Sequence, residues 1–221
     1  FDAAHGFGAL RNGRPLGGFG EVEVFSMTPT KPLVAGEGGL VCTDRDDLAE
    51  YLRLAREYGN PGDYNTRFIG LNGRLSEMHA AIALASISHI DEHLETRRRL
   101  AARYSDGILA IPGVRTQAVD SEDLSTYKDF TIAIDAGDFG VSRDQLVTAL
   151  SAEGIDTRNY FDPPVHRQDS HASRSPSDLP VTDAVSKTVV SLPLYPALTD
   201  AVIDQIVEII AGVGESAASL N

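Results

Sequence analysis

Phe25-Ser26-Met27-Thr28-Pro29-Thr30-Lys31-Pro32 is the stretch on which the reading of this chain turns. Val22 to Phe25 is a short β-branched and aromatic run of the kind that forms a buried strand. Ser26 stands at its C-terminal end, and Lys31 follows five residues later in a loop bracketed by Pro29 and Pro32. In α/β folds ligands gather at the C-terminal ends of strands, so a hydroxyl and a lysine there mark a candidate site. A loop lysine is ordinarily just solvated, and its neighbours are what single this one out. Asp2 lies 29 residues before Lys31, reads as the last residue of another buried strand, and is followed by the small Ala3 and Ala4. The glycines from Gly6 to Gly20 between these strand ends make a turn-rich connection.

Outward from that centre, Leu40 to Cys42 is a second short strand after the turn Gly36-Glu37-Gly38-Gly39. Thr43 or Asp44 caps a helix to about Tyr58, which Gly59-Asn60-Pro61-Gly62 ends. Residues 60–74 read as a polar loop. From Leu75 apolar residues recur at three-to-four spacing, so a helix runs towards Tyr104, with room for a kink, until Gly107 and Pro112-Gly113 break it. Arg97-Arg98-Arg99 falls on its wet side. Val114 to Thr116 and Phe130 to Ile134 read as strands, and Ser142 caps a helix through Glu153 that Gly154 stops. Residues 156–161 are extended. A Ser-, Pro- and His-rich stretch from Pro163 to Pro180 is expected as a mobile loop. A short helix over Thr182–Lys187, a strand over Val189–Leu192 and a helix capped by Thr199 to about Val213 complete the chain. The expected organisation is part of an α/β layer over residues 1–104 and a small α+β domain over 105–221.

At 221 residues the chain is about one and a half average domains. Its 32 acidic against 19 basic residues leave a net charge of −13, which argues against nucleic acid or an anionic membrane as partner. No apolar run approaches the ~20 residues of a membrane span. One cysteine, Cys42, excludes an internal disulfide framework and a multi-thiolate metal site, and it reads as a small core residue. His89 and His93 are four apart on a helix but lack the carboxylate pattern of a metalloprotease, so no metal is assigned. With no signal-like opening, a reducing, cytoplasmic setting is expected. Phe1, one residue before Asp2, reads as an interior point of a longer polypeptide.

A carboxylate, a hydroxyl and a lysine at neighbouring strand ends are what a pyridoxal phosphate site needs. The carboxylate keeps the pyridine nitrogen protonated, the hydroxyl meets the phosphate, and the lysine bonds the cofactor covalently. At this point the sequence resembles the DegT/DnrJ/EryC1/StrS sugar aminotransferases. The resemblance is carried by Asp2-Ala3-Ala4-His5-Gly6, Phe25 to Lys31, Gly36-Glu37-Gly38-Gly39 and Gly70-Leu71-Asn72-Gly73-Arg74-Leu75-Ser76-Glu77. Tyr160-Phe161-Asp162-Pro163-Pro164-Val165-His166 and Ser191-Leu192-Pro193-Leu194-Tyr195-Pro196 carry it further, so it covers essentially the whole chain.

The resemblance implies an α/β chain with the type I aminotransferase fold. Residues 1–104 would be the C-terminal part of the large cofactor-binding domain, and 105–221 the small domain. It implies pyridoxal 5'-phosphate, with Lys31 as the covalent lysine and Asp2 as the partner of the ring nitrogen. His5 falls beside the cofactor's phenolic oxygen and Ser26 on its phosphate. Asn72 falls on a residue that reaches the phosphate in the neighbouring subunit, which implies a homodimer with shared active sites. Arg74 is a candidate for the amino donor's carboxylate, and Tyr160 and His166 lie on the sugar side. The activity implied is transfer of an amino group from glutamate, or glutamine, to a nucleotide-linked keto-deoxysugar. Thr28 stands where the family often has His, and Gly73 where it often has an aromatic. A dehydratase of the same fold is disfavoured because His replaces the lysine in that branch. A cyclitol or aromatic-precursor aminotransferase stays open, as does a truncated, non-catalytic dimerising remnant. By the same resemblance, family members carry a further stretch before the Asp2 motif, and the chain by itself is expected to be incomplete as an enzyme.

Overall fold

The computed structural model describes residues 1–171 and 178–218. They form two compact units, one of residues 1–95 and 119–128, the other of residues 96–118 and those from 129 onward. The cut falls inside a long helix, so compactness and the composition-based boundary after Tyr104 follow different properties of the chain.

In the first unit, β1 (Leu10–Arg11) and β2 (Arg14–Pro15) form a small hairpin about Asn12-Gly13. β3 (Glu23–Ser26) runs antiparallel to β4 (Gly39–Cys42), with Glu23 opposite Cys42 and Ser26 opposite Gly39. The opening residues lie parallel to β3. Asp2 pairs with Val24, Ala3 N donates to Val24 O at 2.9 Å, and Val24 N donates to Phe1 O at 3.1 Å. β3 is not buried on both faces as expected. Glu23 and Phe25 are buried, whereas Val24 is 45% exposed. The side-chain alternation of a strand therefore puts Asp2, Val24 and Ser26 on one face.

The buried carboxylate of Glu23 is held by backbone N–H donors from Gly17 (2.6 Å), Gly20 (2.9 Å) and Phe19. Burial alone pushes its pKa up, but those donors bring it below the usual carboxylate range. Cys42, opposite Glu23, is half-buried rather than a core residue. Burial first, then Glu23 and Asp44, push its thiol pKa up.

α1 (Asp46–Ala55) begins after Arg45, later than a cap at Thr43 or Asp44 would allow. The Thr43 hydroxyl is already committed, donating to Glu21 O at 2.6 Å and accepting from Arg45 N at 3.1 Å. The expected kink in the next helix is a complete break at Ser88-His89. It separates α2 (Glu77–Ile87), capped by Ser76, from α3 (Ile90–Ile108). α2 has no buried residue although it is apolar nearly all round. Met78 is 79% and Leu84 71% exposed. The unit's core is Met27, Leu33, Ala35, Ile90 and Leu94, with Phe7, Leu40 and Leu75 packed against it.

α3 runs straight through Gly107 and stops at Ile108. A Cβ on Gly107 would lie 2.8 Å from Val207 Cγ1, so this glycine is a packing contact and not a breaker. Arg97 is not on a wet face. It is buried, and its Nη1 donates to Leu194 O at 3.0 Å. Arg99 does face solvent, paired with Asp200.

The second unit is built on an antiparallel sheet, in the order β5 (Val114–Thr116), β6 (Phe130–Ile134) and β7 (Val189–Leu192). After β6 come the short α4 (Ala136–Phe139) and α5 (Arg143–Ala152). The Ser142 capping box and the left-handed Gly154 bound α5 where the sequence places them. Residues 156–161 add only one bridge to the sheet, Arg158 with Ser191. Two 3₁₀ turns, Val165–Arg167 and Asp169–His171, lie in the stretch expected as a mobile loop, and residues 172–177 of that stretch lie outside the described residues. α6 (Pro180–Ser186) starts earlier than expected, with Pro180 at its first position. α7 (Asp200–Ala218) runs five residues past Val213. The core includes Tyr104 stacked on Phe130 at 4.9 Å, with Leu146, Val190, Ile203 and Ile210 fully buried. No described helix is long and apolar enough to cross a membrane.

Candidate active site

Lys31 sits on a loop closed at its base. Met27 N donates to Gly38 O at 2.9 Å and Ala35 N donates to Met27 O at 2.8 Å. The Met27 side chain, 1% exposed, anchors one end in the core, and Pro32, Leu33 and Ala35 bury the return. At the tip Lys31 N donates to Thr28 O at 3.0 Å. Val34 N donates to Ser86 Oγ of α2 at 3.1 Å. Gly38, at φ +138°, leaves room for Leu75, whose Cδ1 would be 2.7 Å from a Cβ there. A half-buried lysine is thus carried on a braced backbone beside the end of β3.

The half-buried Ser26 ends that strand, and its Oγ accepts from Thr28 N at 3.5 Å. Asp2 lies on the same sheet face as Ser26, one strand over. Its Oδ1 accepts from Ala4 N at 3.0 Å, which fixes the carboxylate at the strand end. His5 follows with an exposed side chain, and its carbonyl accepts from the buried Thr126 hydroxyl at 2.8 Å. Carboxylate, hydroxyl and primary amine are therefore presented from neighbouring backbone segments of one unit. That donor set fits pyridoxal phosphate: an anion for the ring nitrogen, a donor for the phosphate and an amine for the aldehyde.

Asn72 and Arg74 lie in the same unit on the loop that runs back along the end of α1. Asn72 bridges Glu57, and Gly73 N donates to Arg56 O at 2.9 Å. Arg74 donates from Nε to Asn72 Oδ1 (3.3 Å), from Nη1 to Glu57 Oε1 (3.2 Å) and from Nη2 to the Tyr58 hydroxyl (3.2 Å).

Tyr160 and His166 belong to the second unit, where they line an apolar cleft of about 620 Å³ with Phe161, Val165, Val181 and Val185. His166 Nε2 lies 2.9 Å from Asp183 Oδ1, and Arg167 forks onto the same carboxylate at 3.1 and 2.6 Å. Arg167, and behind it His166, hold the Asp183 carboxyl down at about 2. The buried Arg143 ties down Asp162, in the neighbouring segment, and the carbonyls of Ser186 and Val189. Sequence reading missed Glu57, Tyr58, Asp183 and Thr126, because each acts through a fold contact. Ser86 carries a visible signal, a hydroxyl among the apolar residues of α2.

Residues 1–211 match the model of the DegT/DnrJ/EryC1/StrS aminotransferase family. The chain belongs to that family. A dTDP-3-amino-3,4,6-trideoxy-alpha-D-glucose transaminase of Streptomyces venezuelae is 35% identical over 200 residues, covering 89% of this chain and 51% of the relative. A UDP-N-acetyl-3-dehydro-alpha-D-glucosamine 3-aminotransferase of Acidithiobacillus ferrooxidans is 33% identical over 210 residues, covering 95% and 55%. The crystal structure of DesI in the presence of its TDP-sugar product matches at a TM-score of 0.92 and 33% identity, over 100% of this chain and 56% of that one. The chain spans about half the length of the curated relatives it matches, and it corresponds to their C-terminal part. The expected fold class holds: this is part of the type I aminotransferase fold of the DegT/DnrJ/EryC1/StrS enzymes.

Proposed function

We propose that the full-length protein is a pyridoxal-phosphate aminotransferase that moves an amino group from glutamate, or glutamine, to a nucleotide-linked keto-deoxysugar in the cytoplasm. Residues 1–104 supply part of the large cofactor domain and 105–221 the small domain. The observation that carries this reading is the braced Lys31 loop beside a sheet face bearing Asp2 and Ser26. The family's named relatives, which act on dTDP- and UDP-linked sugars, support the substrate class.

When bound, pyridoxal phosphate draws electron density from the reacting carbon and makes its proton removable. Lys31 would hold the cofactor covalently, and its Nζ, once the substrate's amine has taken its place, would take and return the substrate proton. Asp2 keeps the ring nitrogen protonated, because an adjacent anion favours the charged form. Ser26 would donate to the phosphate, and His5 would serve the phenolic oxygen. Asn72 donates to the phosphate in the partner subunit of a homodimer. The exposed apolar residues of α2 mark a surface that the rest of the full-length chain or a second copy would cover. Tyr160 and His166 are the candidates for the sugar side.

The test is chemical. Borohydride should trap a covalent cofactor adduct on the full-length protein, and a tryptic map should place it on the Lys31 peptide. An adduct of equal yield on the Lys31→Ala protein would overturn the assignment.

A further inference from the structure

The Arg74 guanidinium has an acceptor for each of its three nitrogens within its own chain. Nε reaches Asn72 Oδ1, Nη1 reaches Glu57 Oε1, and Nη2 reaches the Tyr58 hydroxyl, with the guanidinium 5.3 Å from the Tyr58 ring centre. Glu57 is itself the bridge partner of Asn72, so the acidic residue that holds the arginine and the amide the arginine holds are neighbours across one pairing. A side-chain amide has one acceptor end and one donor end. Arg74 occupies the acceptor end of Asn72. The donor end, Nδ2, is then the one left for an anion. An amide turned the other way would put Nδ2 against a guanidinium, donor against donor.

We infer that Arg74, steadied by Glu57 and Tyr58, is a positioning residue that fixes the Asn72 amide with its NH2 towards a phosphate. The inference rests on the reading of Asn72 as a phosphate ligand. It gives Arg74 a different task from binding the amino donor. A lysine cannot reproduce the arginine fork, because its three donors radiate from a single nitrogen. Glu57 neutralises the guanidinium, so the site as a whole does not depend on Arg74's charge to attract the anion.

The test uses full-length apoprotein titrated with pyridoxal phosphate, followed by absorbance, with far-UV circular dichroism as the folding check on each variant. Asn72→Ala should weaken cofactor binding by about ten- to a hundredfold, the range for a hydrogen bond to a charged group. Arg74→Lys should weaken it by about three- to tenfold, and should add nothing on the Asn72→Ala background, because both act through one contact. Glu57→Ala should weaken binding in the same direction. The glutamate KM, measured with saturating cofactor, should stay within about twofold of wild type in Arg74→Lys. A raised glutamate KM with unchanged cofactor affinity would instead make Arg74 a donor-carboxylate residue and overturn the inference. So would additive losses from the two substitutions, or unchanged affinity in Glu57→Ala. If Asn72→Ala itself binds cofactor normally, the phosphate role of Asn72 fails, and that result is distinct from a failure of Arg74 alone.

Discussion

Asp2 and Glu23 are two carboxylates on adjacent segments with opposite fates. Glu23 points into the unit and is consumed by backbone donors, so it is structural. Asp2 stands on the other face, where its Oδ1 accepts from Ala4 N, and it is the one that the proposed function sets against the cofactor's ring nitrogen. A carboxylate beside a protonated nitrogen shifts its pKa by 1–3 units, so Asp2→Asn should lower the protonated fraction of the bound ring by roughly ten- to a thousandfold. Cofactor binding should survive while single-turnover transamination slows by a comparable factor. Near-normal rates in stopped flow would remove Asp2 from this role. Spacing made Asp2, Ser26 and Lys31 readable. The same reading gave no hint of Glu23, since a carboxylate in a strand ordinarily faces water, and only the fold of Gly17 to Gly20 brings donors to it.

Among the elements, α5 was legible in both its bounds, whereas α3 was legible as a helix but not in its separate start or its contacts, for one physical reason. The signals bounding α5, Ser142 with Gln145 and then Gly154, act within a few residues of each other. The features of α3 are tertiary. Gly107 looks like a terminator until Val207 is brought against it, and Arg97 looks solvated until the Leu194 carbonyl is brought above it. The two views of Gly107 predict opposite signs for Gly107→Ala. Helix propensity alone would stabilise by ~0.8–1.0 kcal/mol. A Cβ at 2.8 Å from a short, stiff valine overpacks, at ~1–3 kcal/mol. Overpacking wins, and Gly107→Ala should be less stable by about 1 kcal/mol in urea unfolding. Adding Val207→Ala should make the Gly107→Ala change favourable. A stabilised single variant would show that the helices part easily there.

At the scale of the whole molecule the proposed shared site has a sharp signature. Each site would draw Lys31 from one copy and Asn72 from the other. A Lys31→Ala protomer mixed with an Asn72→Ala protomer should therefore restore one intact site per heterodimer. At equal mixing about half the dimers are mixed, so activity should rise to roughly a quarter of wild type if copies exchange freely. Both single variants must first be impaired. A confirmed heterodimer with no gain in activity would mean that Asn72 serves its own Lys31. The pairing of copies is also where the sequence said least. Apolar residues spaced for a helix predict α2, but not that Met78, Leu84 and Ile87 would lie exposed while Ala83 alone of its apolar residues packs on the core. The nest around Glu23 has one further practical consequence. Burial first, and then the ionised Glu23 opposite and Asp44 nearby, raise the Cys42 thiol above its usual range, so still less of it is the reactive thiolate at neutral pH. For anyone attaching a fluorophore or spin label by maleimide chemistry, this stretch of polypeptide is close to a blank page: a cysteine written into an open position such as Ile69, wholly exposed, would take up the label far ahead of the native one.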